Sequence, residues 1–189
     1  MINKNLLSWG LMLCTVFAAV HVFSLHGKQH RQKEFTMNVW SNDFVDGKRL
    51  PDLFTCSGKN ISPHLAWSAA PKGTQSFALM CNDPDAPKGN WVHWVIFNIP
   101  ATMTELAQGL PLDKELSNGI RQGTNSFDKI GYGGACPPRG DLRHHYEFMV
   151  YALDAVLELP AGATKSALET AMIGHVLAKG IVTGTFSRD

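Results

Sequence analysis

The sequence predicts a mainly β domain, either a sandwich or a large antiparallel sheet. Three observations point there. Short alternating or apolar runs recur between clusters of Gly, Pro, Asn and Asp. A convincing helical pattern comes only late in the chain. Strands and helices do not alternate, so a parallel βαβ sheet is excluded.

Residues 1–25 stand apart from that domain. Lys4 is the only charge ahead of residues 6–25, which carry none, and a polar stretch, 26–34, follows. This is the layout of a secretory signal peptide cut after Ser24, or of an uncleaved anchor, since about 20 apolar residues span a bilayer. A lipoprotein reading through Cys14 is disfavoured by bulky Leu13 before it. Each reading exports the domain, to the periplasm or the medium, with residues 6–25 as the anchor where one is kept. The organisation is then 1–25 signal peptide or anchor, 26–34 polar linker and 35–189 domain.

Within the domain, residues 35–40 alternate as a first strand, and 41–63 are turn-rich, with Asp46-Gly47 as a tight turn. Residues 65–67 form a short strand ended by Pro71. Residues 76–82 are nearly all apolar and predict a central strand covered on both faces, ending at Asp83. Residues 91–99 form the next strand, with alternation placing Trp91, His93, Val95 and Phe97 on one face. Residues 101–129 read as loop, with a helical turn near 104–108. Residues 144–153 are the clearest strand, with His144, Tyr146, Phe148 and Val150 on one face and His145, Glu147, Met149 and Tyr151 on the other. Residues 163–179 read as the helix, with Ser166 and Glu169 at capping-box spacing, an apolar stripe through Leu168, Ala171, Met172 and Val176, and Gly180 as its C-terminal stop. A last strand covers 181–186.

Charge and cysteines narrow the function. The formal net charge is +1 with 17% charged residues, which argues against nucleic acid as an electrostatic partner. With Cys14 in the leader, Cys56, Cys81 and Cys136 remain, so at most one disulfide can form. Cys81, inside an apolar strand, reads as core. Cys56 and Cys136, both in loops, are the better candidates, and the spacing leaves the bond itself open. Without a Cys-x-x-Cys pair, a thiolate zinc site is not indicated.

Chemistry concentrates in Asp83-Pro84-Asp85-Ala86-Pro87, Trp91-Val92-His93-Trp94, Gly134-Ala135-Cys136-Pro137-Pro138 and His144-His145-Tyr146. Carboxylates, histidines and a tyrosine beside rigid turns form an inventory for anion or zwitterion binding. A histidine beside carboxylates holds a proton more readily. The plainer alternatives differ by residue. Asp83 and Asp85 flank a proline, where a carboxylate often serves only the next backbone N–H groups. His145 points away from His144, and His175 would sit at a helix end as a structural residue. Nucleophile elbows, zincin motifs and phosphate-binding glycine loops are absent from the sequence, so a catalytic residue set, a cofactor and a metal are not expected.

Those motifs resemble, in order, the phosphatidylethanolamine-binding protein family, in its bacterial and archaeal Raf-kinase-inhibitor-like branch. Cys56-Ser57-Gly58-Lys59-Asn60-Ile61-Ser62-Pro63, Asn98-Ile99-Pro100, Asn125-Ser126-Phe127 and Tyr151-Ala152-Leu153 extend the resemblance over residues 35–186. The resemblance implies an antiparallel β-sandwich-like fold around a large central sheet, with one or two peripheral helices and a small anion pocket at one end. By motif match the pocket residues are Asp83, His93, Pro138, His144 and Tyr146, with Asp85 as a supporting acid. His93 and His144 would donate to the anion, Tyr146 would add a hydroxyl, Asp83 would fix a histidine or meet an ammonium, and Pro138 would stiffen the wall. Ala135 departs from the branch, which has proline there.

The expected ligand is a phosphate-bearing small molecule or a phospholipid head group, with the protein acting as a binder. Two rival readings carry different signatures. An inhibitor of a protease or kinase would act through loop 101–129 and keep its action in a pocket mutant. A hydrolase using Asp83 and His93 as an acid–base pair would lose turnover in His93→Ala.

Overall fold

The computed structural model describes residues 35–68 and 70–189; the leader, the linker and Cys14 lie outside the described residues. In chain order the strands are β1 (Phe35–Thr36), β2 (Val39–Trp40), β3 (Leu65–Trp67), β4 (Ser76–Asp83), β5 (Trp91–Pro100), β6 (Glu105–Leu106), β7 (Arg121–Thr124), β8 (His144–Leu153), β9 (Gly162–Thr164) and β10 (Val176–Phe186). A helix, α1 (Lys165–Ala171), precedes β10. Seven strands form one sheet in the order β1-β10-β8-β4-β5-β7-β9, and β2-β3-β6 form a second. The large sheet is mixed rather than antiparallel, because β1 runs parallel to β10 and β7 parallel to β9.

β4 is central, between β5 and β8, and every one of its residues is buried. Phe77, Leu79 and Cys81 enter one apolar cluster with Tyr146, Phe148 and Val150 of β8. Ala78 and Met80 enter a second with Val95, Phe97 and Leu168 of α1. The small sheet joins the first cluster through Trp67, whose ring meets Phe77 at 5.2 Å. The helix covers the second. Both faces of β4 are therefore dry, as its continuous apolar sequence requires.

Several expectations are corrected. The helix is shorter than expected and is capped by Thr164, whose side chain accepts from the Ala167 N–H, rather than by Ser166. Val176 to Lys179 continue as strand, because their apolar residues also satisfy a sheet period. Gly180 is no helix stop: a Cβ there would lie 2.2 Å from the Met37 carbonyl oxygen, so it is a close backbone approach within β10. His175 accordingly lies off the helix and its Nδ1 pairs with Asp154 at 2.8 Å. Residues 105–106 are strand rather than helical turn, and the expected first strand is divided into β1 and β2.

The alternation assigned to residues 91–99 fails twice, at register shifts opposite Cys81/Asn82 and Phe77/Leu79. Each inserts an extra residue in β5, a β-bulge. At the second, Asn98 adopts φ 56° and its side chain clasps Leu157 through two hydrogen bonds of 2.9 Å. The first turns His93 away from the face of Val95 and Phe97 and onto Tyr146.

Candidate functional site

Three strand ends meet at one edge of the large sheet: β4 finishes at Asp83, β5 begins at Trp91 and β8 begins at His144. They enclose a cavity of about 340 Å³. Its wall is built from Asp83, Ala86, Pro87, Lys88, Trp91, His93, Phe127, Cys136, Pro137, Pro138 and His144.

Asp83 is fixed from two sides. Its Oδ1 accepts from the Asp85 N–H at 2.9 Å, the turn bond expected of an Asp-Pro sequence. Its Oδ2 meets His144 Nδ1 at 2.8 Å, and both side chains are buried. A carboxylate only accepts, so His144 carries its proton on Nδ1 and turns Nε2 away, 3.6 Å from Asp141. The pair forms because β4 and β8 are hydrogen-bonded neighbours up to Asn82 and Glu147.

His93 is held differently. Its Nδ1 donates to the Gly133 carbonyl at 2.6 Å, and its ring stands edge-on to Tyr146 and Phe127, at 5.1 and 5.4 Å. Burial pushes its pKa below the ordinary histidine range, so it is neutral at pH 7. Tyr146 lies beneath it, with a hydroxyl that is sealed from solvent and has no hydrogen-bond partner among the described residues. Burial, then the nearby Asp83 charge, drives its pKa well up and keeps the proton on.

The opposite wall is rigid. Cys136 is disulfide-bonded to Cys56. The Cys56 N–H donates to the Ala135 carbonyl at 3.0 Å, and the Gly134 N–H to Asn60 Oδ1 at 2.6 Å. Gly134 has no room for a side chain: a Cβ would fall 2.4 Å from Asn60 Oδ1 and 2.6 Å from the Phe54 carbonyl oxygen. Arg188 Nε donates to the Pro137 carbonyl at 2.6 Å. Phe127 is presented by Asn125, whose Oδ1 accepts from the Phe127 and Lys129 N–H groups.

Of the residues singled out in the sequence, Asp83, His93, Pro138 and His144 share the cavity wall. Tyr146 supports it from below. Asp85 does not line it: its carboxylate accepts from the His145 N–H and ring at 2.8 and 2.7 Å, and that contact lowers its pKa. His145, expected to point away, therefore restrains the Asp83–Asp85 turn. The sequence reading missed Lys88, Trp91 and Phe127 as lining residues. Their signal was position, Lys88 and Trp91 flanking the Gly89-Asn90 turn between two motifs. Among the described residues no group of three or more His, Cys, Asp or Glu is placed to hold a metal ion.

Comparison with known proteins agrees with this architecture. The family model for phosphatidylethanolamine-binding protein matches residues 40–187. A UPF0098 protein of Aquifex aeolicus is 46% identical over 154 residues, covering 81% of this chain and 90% of its own. The Escherichia coli protein YbhB is 41% identical over 159 residues, covering 80% of this chain and 100% of its own. The crystal structure of E. coli YbcL, described as a member of the mammalian PEBP family, superposes with a TM-score of 0.76 at 36% identity, covering 81% of this chain and 99% of that one. The chain belongs to the phosphatidylethanolamine-binding protein family.

Proposed function

We propose that the protein is an exported binding protein whose cavity takes a phosphate-bearing small molecule or a phospholipid head group. The observation that carries this reading is the buried Asp83–His144 pair standing beside His93 and Lys88 on one wall. The Lys88 ammonium supplies the positive charge on this wall for a phosphoryl oxygen. Asp83 orients the imidazole, and Trp91 and Phe127, 5.4 Å apart, give the ligand an aromatic edge. At about 340 Å³ the cavity suits a head group and not an acyl chain. The family is named for phosphatidylethanolamine, and free phosphoethanolamine is the phosphomonoester of that head group.

Binding is the reading these contacts support: Asp83 is hydrogen-bonded to His144 and His93 Nδ1 to the Gly133 carbonyl, so the Asp83–His93 pair that a hydrolase would use is not formed. Export is supported by the apolar and then polar layout of residues 1–34 and by the Cys56–Cys136 disulfide, a bond that persists in oxidising compartments.

Calorimetric titration with phosphoethanolamine tests the reading. Binding with a Kd on the order of 1 mM or tighter, weakened at least about tenfold in His144→Ala, is expected. No heat up to about 10 mM ligand would sink it and turn attention to a protein partner at residues 101–129.

A further inference from the structure

The cavity wall is richer in acceptors than an anion site needs. Asp83 lines it as a carboxylate only 3% exposed. His93 lines it at 2% exposure with its Nδ1 proton committed to the Gly133 carbonyl. A carbonyl oxygen cannot donate, so that nitrogen must. The titratable groups around the ring are Asp83 from β4 and His144 and Tyr146 from β8, with Lys88 elsewhere on the cavity wall. The Gly133 and Gly134 carbonyls and Asp83 favour a second proton on His93, but burial is the larger effect and leaves the ring neutral at pH 7. The nitrogen left for the cavity, Nε2, has no partner among the described residues. In a neutral ring protonated at Nδ1 it is a lone pair, not a donor.

An incoming phosphate therefore meets a carboxylate and an imidazole lone pair on the same wall. A fully ionised phosphate brings only acceptors to both. We propose that the cavity selects a phosphate group that still carries a proton: a phosphomonoester monoanion, whose P–O–H donates to Nε2 of His93, over the dianion and over any phosphodiester. This inference rests on the phosphate-binding reading above and narrows it. A diester has no proton to give and would cover Nε2 without pairing it, a loss expected to weaken binding at least about tenfold. The same chemistry is carried by soluble phosphomonoesters and by phosphatidic acid.

The test compares methyl phosphate with dimethyl phosphate on the full chain. At about pH 5.5 each carries about one negative charge, since the second monoester pKa is near 6. Methyl phosphate should bind at least about tenfold tighter. Its affinity should fall as the pH rises above about 6 and the monoanion is lost. In His93→Phe the preference should shrink toward unity. Equal or tighter binding of dimethyl phosphate, or affinity rising with pH, would overturn the proposal. A second readout does not depend on that variant folding: ¹⁵N spectra of His93, taken at pH 7 and at the pH of the comparison, about 5.5, should show Nδ1 protonated and Nε2 bare, and a protonated Nε2 at either pH would overturn it. Vesicles of phosphatidylcholine with phosphatidic acid should capture the protein if the source is a lipid. Equal capture by phosphatidylcholine alone, a diester, would refute the selection. Phosphoethanolamine separates the two levels of the argument: if it fails to bind, the phosphate reading fails. If it binds while dimethyl phosphate matches methyl phosphate, only the proton selection fails.

Discussion

Replacing Asp83 by alanine removes the two contacts that set the cavity's geometry. His144 Nδ1–H loses an acceptor 2.8 Å away in a place where both side chains are at most 6% exposed. A buried donor left unpaired costs about 1–3 kcal/mol. The Asp85 N–H loses its 2.9 Å bond as well, but that turn reaches solvent, so the loss is about 1 kcal/mol. Together the two losses come to about 2–4 kcal/mol, and relief of Asp83's own desolvation makes this an upper range, at or below that for breaking a buried pair. In a protein of this size that is a Tm lower by roughly 4–16 °C. Urea and thermal unfolding of Asp83→Ala measure it. Asp83→Asn, which keeps one acceptor oxygen, should fall between the variant and the parent. A change within about 0.5 kcal/mol for Asp83→Ala would refute the view that this pair is a buried, satisfied anchor.

Other consequences can be checked in the same way. His93 should titrate below the usual histidine value because burial disfavours its charged form. Its contribution to stability is then present above about pH 6.5 and lost as pH falls through the lowered folded value, and an NMR titration placing it above 7 would contradict this. The Cys56–Cys136 bridge spans a sequence separation of 80. Loop-closure entropy then predicts that Cys56→Ser with Cys136→Ser lowers unfolding stability by up to about 4.5 kcal/mol, and an unchanged urea midpoint would count against the bond. Gly180→Ala forces a Cβ to within 2.2 Å of the Met37 carbonyl and 2.6 Å of Val39 Cγ2, so a loss of about 1–3 kcal/mol is expected. A neutral result would mean that β10 and residues 37–39 are not packed this closely.

How much was legible in the sequence follows from where the signal is local. β4 and β8 were readable because an unbroken apolar run and a strict alternation each admit one burial pattern. β7 was not: Arg121-Gln122-Gly123-Thr124 has no apolar residue to show a period. Its Gln122 is buried because its side chain serves the Trp94 indole and the Pro111 and Asp113 carbonyls. The parallel pairing of β1 with β10 joins distant parts of the chain, and nothing within either segment encodes it. On the cavity wall, Asp83, His93 and His144 were legible as polar residues in motifs at or near strand ends, and Pro138 only through the family motif. The simple alternation of β5 put His93 on the face of Val95 and Phe97, and only the bulge opposite Cys81/Asn82 brings its ring to Tyr146. The place of Asp85 off the cavity wall was not legible, because its partner, the His145 backbone and ring, comes from another strand.

The central claim is that this cavity is where a phosphate-bearing ligand binds. The most direct measurement is an NMR map of the protein during titration with phosphoethanolamine. The account predicts shifts concentrated on His93, His144, Trp91 and Phe127 and abolished by His144→Ala. Shifts elsewhere, with these four unmoved at saturation, would contradict it.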